Sequence, residues 1–189
     1  MAKEIVKEQN VVDETEGALE RQLTEAEERL CEVKGQVRGA EIALQQRVEQ
    51  LADMPADERL DAAEEAAALR GTLKMLRETL PVLEGRARNA LLALLQHRYN
   101  AAREVAKTVA RAQAELRRRT TENARARRVL MNNGAGDMTP EEYDRKRDGL
   151  EKEAVTLSTR ARGLYREHAA AARARDRARK ALEDAEGAS

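Results

Sequence analysis

The chain has 189 residues with no Trp, no Phe and three Tyr (Tyr99, Tyr143, Tyr165), which excludes a thick globular core built on buried rings. Charged residues make up 37%, and Ala, Glu, Arg and Leu dominate, the mix of long helices and coiled coils. Net charge is zero but polarised: residues 1–94 hold 13 Lys+Arg and 20 Asp+Glu, a net −7, and residues 95–189 hold 22 and 15, a net +7.

Leu19, Leu23, Ala26, Leu30, Val33, Val37, Ala40 and Leu44 recur at alternating steps of four and three. That spacing places them on one narrow helical stripe that only a partner helix covers. A disordered chain of the same charge has no reason to keep such a register. The spacing predicts a first helix over about 13–52, and Ile5 and Val12 keep the same seven-residue phase. Asp53, Met54 and Pro55 end it, because proline lacks the amide donor and crowds the preceding turn. Gly35 and Gly39 inside it each cost about 1 kcal/mol against alanine. They read as neutral positions, with close approach of another chain as the alternative.

A second helix is predicted over about 57–131, opening on Asp57 and Glu58 at the favourable end of the helix dipole. Its stripe is Ala62, Ala66, Leu69, Leu73, Leu76, Leu80, Leu83, Ala87, Ala90 and Leu94. The phase holds across Pro81, which predicts one kinked but continuous helix rather than a break. After Leu94 the stripe slips by one place to Leu95, Tyr99, Ala102, Ala106, Val109, Gln113 and Leu116, a change of face and so of partner. Ala90-Leu91-Leu92-Ala93-Leu94-Leu95 is apolar on more than one face, as a helix flanked from two sides requires. Asn132-Asn133-Gly134-Ala135-Gly136 supplies a stop tolerant of left-handed backbone. Thr139-Pro140-Glu141-Glu142 then opens a third helix over about 139–186 with a capping signature. Its stripe is Leu150, Ala154, Leu157, Ala161, Leu164, His168, Ala171, Arg175, Ala178 and Leu182.

Short connections make neighbouring helices antiparallel. Folding the first helix back about residue 55 sets Leu44 opposite Ala66, Val37 opposite Leu73 and Leu30 opposite Leu80. Folding the last about residue 136 sets Leu157 near Leu116, Leu164 near Val109 and Ala171 near Ala102. The expected fold is therefore all-α: an elongated antiparallel coiled coil of three long helices. The middle helix pairs with the first through its N-terminal half and with the last through its C-terminal half. At 1.5 Å per residue the ~75-residue middle helix makes a rod of roughly 110 Å. An acidic hairpin over 1–94 and a basic one over 95–189 share that helix. The second seam is rich in Ala and carries Gln113, His168 and Arg175, so it buries little area, and the monomer is expected to be marginal and to work within an assembly.

No constellation asks for chemistry. His97 and His168 fall too far apart in the predicted register to share a metal. Cys31 has no histidine beside it to activate a thiolate. Gly134-Ala135-Gly136 lacks the Lys-Ser/Thr and the preceding strand of a phosphate loop. The expectation is a non-enzymatic protein with no catalytic, cofactor or metal site and no small-molecule substrate. A lone cysteine fits a reducing compartment. With no signal-like N-terminus and no membrane span, the expected location is cytoplasmic, or inside the cell in a larger particle.

The basic clusters carry the remaining signal. Arg111, Arg117, Arg118, Arg119, Arg125, Arg127 and Arg128 on the second helix, with Arg173, Arg175, Arg177, Arg179 and Lys180 on the third, are candidate contacts for an anionic partner. Pairing the helices gathers both clusters in one half of the molecule. The acidic half of a protein neighbour, met through self-association or in a larger assembly, ranks first; nucleic acid bound through its phosphates ranks second, because no aromatics interleave the cations for base stacking. In composition and helical pattern the chain is similar to helical scaffolding and virion-interior proteins of bacteriophages and to helical-hairpin stalk proteins of export machinery. That likeness rests on no motif. It implies a scaffold, spacer, adaptor or stalk.

Overall fold

The structure is a computed structural model that describes residues 2–55, 58–136 and 138–188, with side chains described from Glu14 onward. It contains three helices, α1 (Ala2–Asp53), α2 (Arg59–Asn133) and α3 (Pro140–Gly187), and no strand among the described residues. α1 begins well before the expected start near residue 13. Residues 2–12 hold neither proline nor glycine, so nothing there breaks a helix. The side chains of Ile5 and Val12 lie outside the described residues, as does Asp57. α2 begins at Arg59, and Asp61 is the acid of its first turn. The amides of Glu58 and Arg59 both donate to the Pro55 carbonyl at 3.2 Å, closing the turn before it.

Pro81 lies inside α2, which continues unbroken through it. Between α2 and α3, Gly134 and Gly136 take φ of 60° and 52°, the left-handed backbone that glycine adopts without a Cβ clash. At Thr139 both halves of a capping box form. The Glu142 amide donates to Thr139 Oγ1 at 3.3 Å, and the Thr139 amide donates to Glu142 Oε2 at 2.9 Å. Thr139→Ala is therefore expected to lower stability by about 1 kcal/mol in urea unfolding, and Thr139→Ser to leave it nearly unchanged. A silent alanine variant would show that the cap does not hold α3.

The chain divides into two compact units, residues 1–97 and 98–189. In the first, α1 packs on the N-terminal half of α2 through the expected stripes. Val33 and Val37 of α1, and Ala62, Ala66, Leu73, Leu83, Ala87 and Leu94 of α2, are buried. Leu19, Leu23, Ala26, Leu30, Ala40, Leu44, Leu69, Leu76, Leu80 and Ala90 are half-buried. Leu91, Leu92 and Leu95 beside them are also half-buried. Ion pairs along the seam report its register: Lys34 with Glu84 at 3.1 Å, Glu41 with Arg77 at 2.7 Å, and Arg47 with Glu65. Their midpoints fall at residues 59, 59 and 56, so the fold-back point lies up to four residues beyond position 55. Periodicity alone does not see this shift, because sliding one helix by a few residues brings a similar stripe opposite its partner.

In the second unit the C-terminal half of α2 packs on α3. Leu116, Asn123 and Leu130 of α2 are buried against a face bearing Leu157, Ala171 and Leu182. Tyr99, Ala102, Ala106, Val109 and Gln113 are half-buried, as are Leu150, Ala154, Leu164, His168, Arg175 and Ala178. Ala161 departs from its expected place and is exposed. A single methyl beside the polar Gln113 rung leaves that level of the seam open.

Candidate functional site

The stripe of α2 runs on at seven-residue steps from Leu116 to Asn123 to Leu130, so Asn123 sits where an apolar residue is the rule. It is the buried polar side chain of the core, 5% exposed. Both amide hydrogens are used: Nδ2 donates to the Leu150 carbonyl at 3.2 Å and to a Glu153 carboxylate oxygen at 2.9 Å. Gln113 repeats the device ten residues earlier, with Nε2 donating to the Leu164 carbonyl at 3.2 Å. Arg127 adds a pair with Glu151 at 3.9 Å. A polar group inside a seam holds one register, because any slip leaves its hydrogens unpaired. The stripe read from the sequence stops at Leu116 and misses Asn123; its seven-residue phase with Leu116 and Leu130 is the signal that would have found it.

The twelve candidate cations all lie in the second unit, but the structure does not gather them into one cluster. With Gln113 at Leu164 and Asn123 at Leu150, positions 111–128 of α2 fall beside roughly 145–166 of α3, and positions 173–180 lie further along α3. The clusters are therefore offset along the hairpin. Five cations are already engaged. Arg118 bridges Glu115 and Glu122, each at 2.9 Å, and Arg119 reaches Glu115 at 4.0 Å. Arg127 meets Glu151 at 3.9 Å, Arg175 meets Asp176 at 2.7 Å, and Arg179 meets Glu183 at 3.6 Å. Arg111, Arg117, Arg125, Arg128, Arg173, Arg177 and Lys180 are exposed, with no carboxylate among the described residues within ion-pair distance.

Arg111, Arg118 and Arg125 are seven apart, a row about 10.5 Å per step along the face opposite the seam. Its middle member is the one most tightly held. The hydrogen bonds from Arg118 hold the Glu115 carboxyl below the usual carboxylate range, helped by the Arg119 charge, and the Arg118 guanidinium is shifted up in return. Lys107 lowers Glu104 in the same way, with Arg103 and Arg111 adding to it. A depressed carboxylate stabilises above its unfolded pKa and loses that effect as pH falls through the lowered value. These groups are fully solvated, so salt screens the effect.

No group of three or more metal-ligating side chains forms among the described residues, and no described helix is long and apolar enough to cross a membrane. His97 and His168 are each half-buried, and His97 Nε2 is buried without a partner. Cys31 is exposed. Among known families, curated proteins and solved structures, none matches this chain.

Proposed function

We propose that the protein is a non-enzymatic structural or assembly component, a scaffold, spacer, adaptor or stalk built as an elongated antiparallel coiled coil. A bacteriophage scaffolding or virion component is the most specific form of that reading. The observation that carries it is the seam-only interior. Among the described residues thirteen apolar side chains are buried, the most enclosed being the small Ala62 and Ala66, and they fall on the four stripes. The chain exposes 14336 Å². Two separate compact globules of half its length would expose roughly 11,000 Å² together. Surface in that excess is what a neighbouring molecule covers. Expected result: the full chain sediments as an oligomer at micromolar concentration, and the oligomer weakens as salt rises, because the −7 and +7 halves of different copies attract. A monomer at all concentrations, with a melting midpoint above ~70 °C, overturns the assembly role.

Phosphate binding through the basic unit is the second reading, favoured by the seven exposed cations that lack a carboxylate partner. Against it stand the five cations held by their own carboxylates. In a mobility-shift assay with duplex and single-stranded DNA at about 50 mM salt, no retardation is expected. Retardation that vanishes by ~200 mM salt would replace the first reading with this one.

A further inference from the structure

We propose, resting on the assembly role above, that the outward face of α3 docks on the outward face of α1 in a second copy of this chain. Arg162, Arg166, Arg173, Arg177 and Lys180 fall within about 60° of one another around α3, on the side opposite the seam residues Leu164, Ala171 and Leu182. All five are exposed, and none has a carboxylate within ion-pair distance among the described residues. Two cations on other faces of the same stretch, Arg175 and Arg179, are held by Asp176 and Glu183. One face of α3 thus keeps a bare basic stripe roughly 27 Å long, and Asp184 stands at its C-terminal end.

α1 carries the matching surface. On its side turned away from the seam residues Leu19, Leu23, Ala26 and Leu30, Arg21, Glu25, Glu28 and Glu32 are exposed. Glu25 and Glu28 have no cation within ion-pair distance among the described residues, and Glu32 meets Arg29 at 3.3 Å. Set the two faces antiparallel with Glu28 level with Arg177. Glu25 is then level with Lys180, Glu32 with Arg173, and Arg21 with Asp184. Off the central line, Arg29 and Arg38 come level with Asp176 and Glu167, and between Glu20 and Glu49 no charge comes level with its like. A slip of seven residues keeps the same faces together but spoils the match. In one direction it sets Glu28 level with Asp184, and in the other Arg21 level with Arg177. The charges therefore select one register as well as one pair of faces. Exposed ion pairs contribute little each, so the contact is weak and salt-sensitive, and the match chooses the partner more than it sets the affinity. Because the two faces differ, each copy offers one of each.

Paired charge reversal in the full chain tests this. Glu25→Lys/Glu28→Arg makes the α1 face basic, and Arg177→Glu/Lys180→Glu makes the α3 face acidic. All four positions are exposed, so each variant is expected to keep the wild-type thermal midpoint within about 3 °C. In sedimentation at about 50 mM salt, each variant alone falls toward monomer, its apparent dissociation constant raised about tenfold or more. Mixing the two in equal amounts, or placing all four substitutions in one chain, restores the oligomer, because reversed faces complement one another as the native ones do. An oligomer that neither reversal weakens, or a loss that the mixture does not restore, overturns this contact and leaves the assembly role standing. A wild-type chain that is monomeric overturns both. A wild type that retards DNA, where Arg177→Glu/Lys180→Glu does not, gives the stripe to phosphates and overturns this contact.

Discussion

Replacing Pro81 with alanine is expected to stabilise the protein by about 2 kcal/mol and to raise its melting midpoint by about 4–8 °C. Pro81 is exposed and lies inside an unbroken α2, so its substitution removes no buried contact. Proline in a helix interior is about 3 kcal/mol worse than alanine, because its ring displaces one amide donor and crowds the preceding turn. Up to about 1 kcal/mol is returned through the freer unfolded chain of the alanine variant. Thermal unfolding followed by far-ultraviolet circular dichroism measures the difference. A midpoint that stays put or falls would mean that α2 does not run through residue 81 in solution.

The opposite sign is expected at Asn123. Asn123→Asp should cost about 3 kcal/mol near neutral pH, lowering the midpoint by roughly 6–12 °C. The substitution removes the donor to the Leu150 carbonyl and places a buried carboxylate against Glu153. Burial and the neighbouring like charge both raise the folded pKa of the introduced carboxyl above its unfolded value. The loss is therefore full above that folded pKa and shrinks as the pH falls through it, so the variant should approach the wild type in acid. Asn123→Leu separates register from stability. It fills the rung with an apolar side chain and should melt no lower than the wild type. It should also populate more than one α2–α3 register, visible as doubled backbone amide resonances around Leu150. A single set of resonances would show that the register is set elsewhere.

The all-helical architecture was legible in the chain. Every residue expected on the α1 stripe from Leu19 to Leu44 is buried or half-buried, as is every one from Ala62 to Leu94. The helix ends also followed from local chemistry: Pro55 stopped α1, the glycines at 134 and 136 took left-handed backbone, and Thr139 with Glu142 capped α3. The candidate site was legible only as a list of cations. Sequence spacing gathers Arg111–Arg128 and Arg173–Lys180 in one unit, and the fold-back about residue 136 already sets them offset along it, but it does not reveal that Glu115, Glu151, Asp176 and Glu183 hold five of them.

Periodicity is a property of a single helix, so it specifies which side chains share a face and, through the slip after Leu94, where that face turns. Axial register is a property of two helices and of the turn between them. The stripe repeats every seven residues, so several offsets bury nearly the same apolar area. In the second seam the amides of Gln113 and Asn123 reaching carbonyls on α3 tell these offsets apart, and in the first the exposed pairs of Lys34 with Glu84 and Glu41 with Arg77 report the one adopted. The exposure of Ala161 follows from that choice, since what a side chain meets across a seam depends on its neighbour's level as well as its own face.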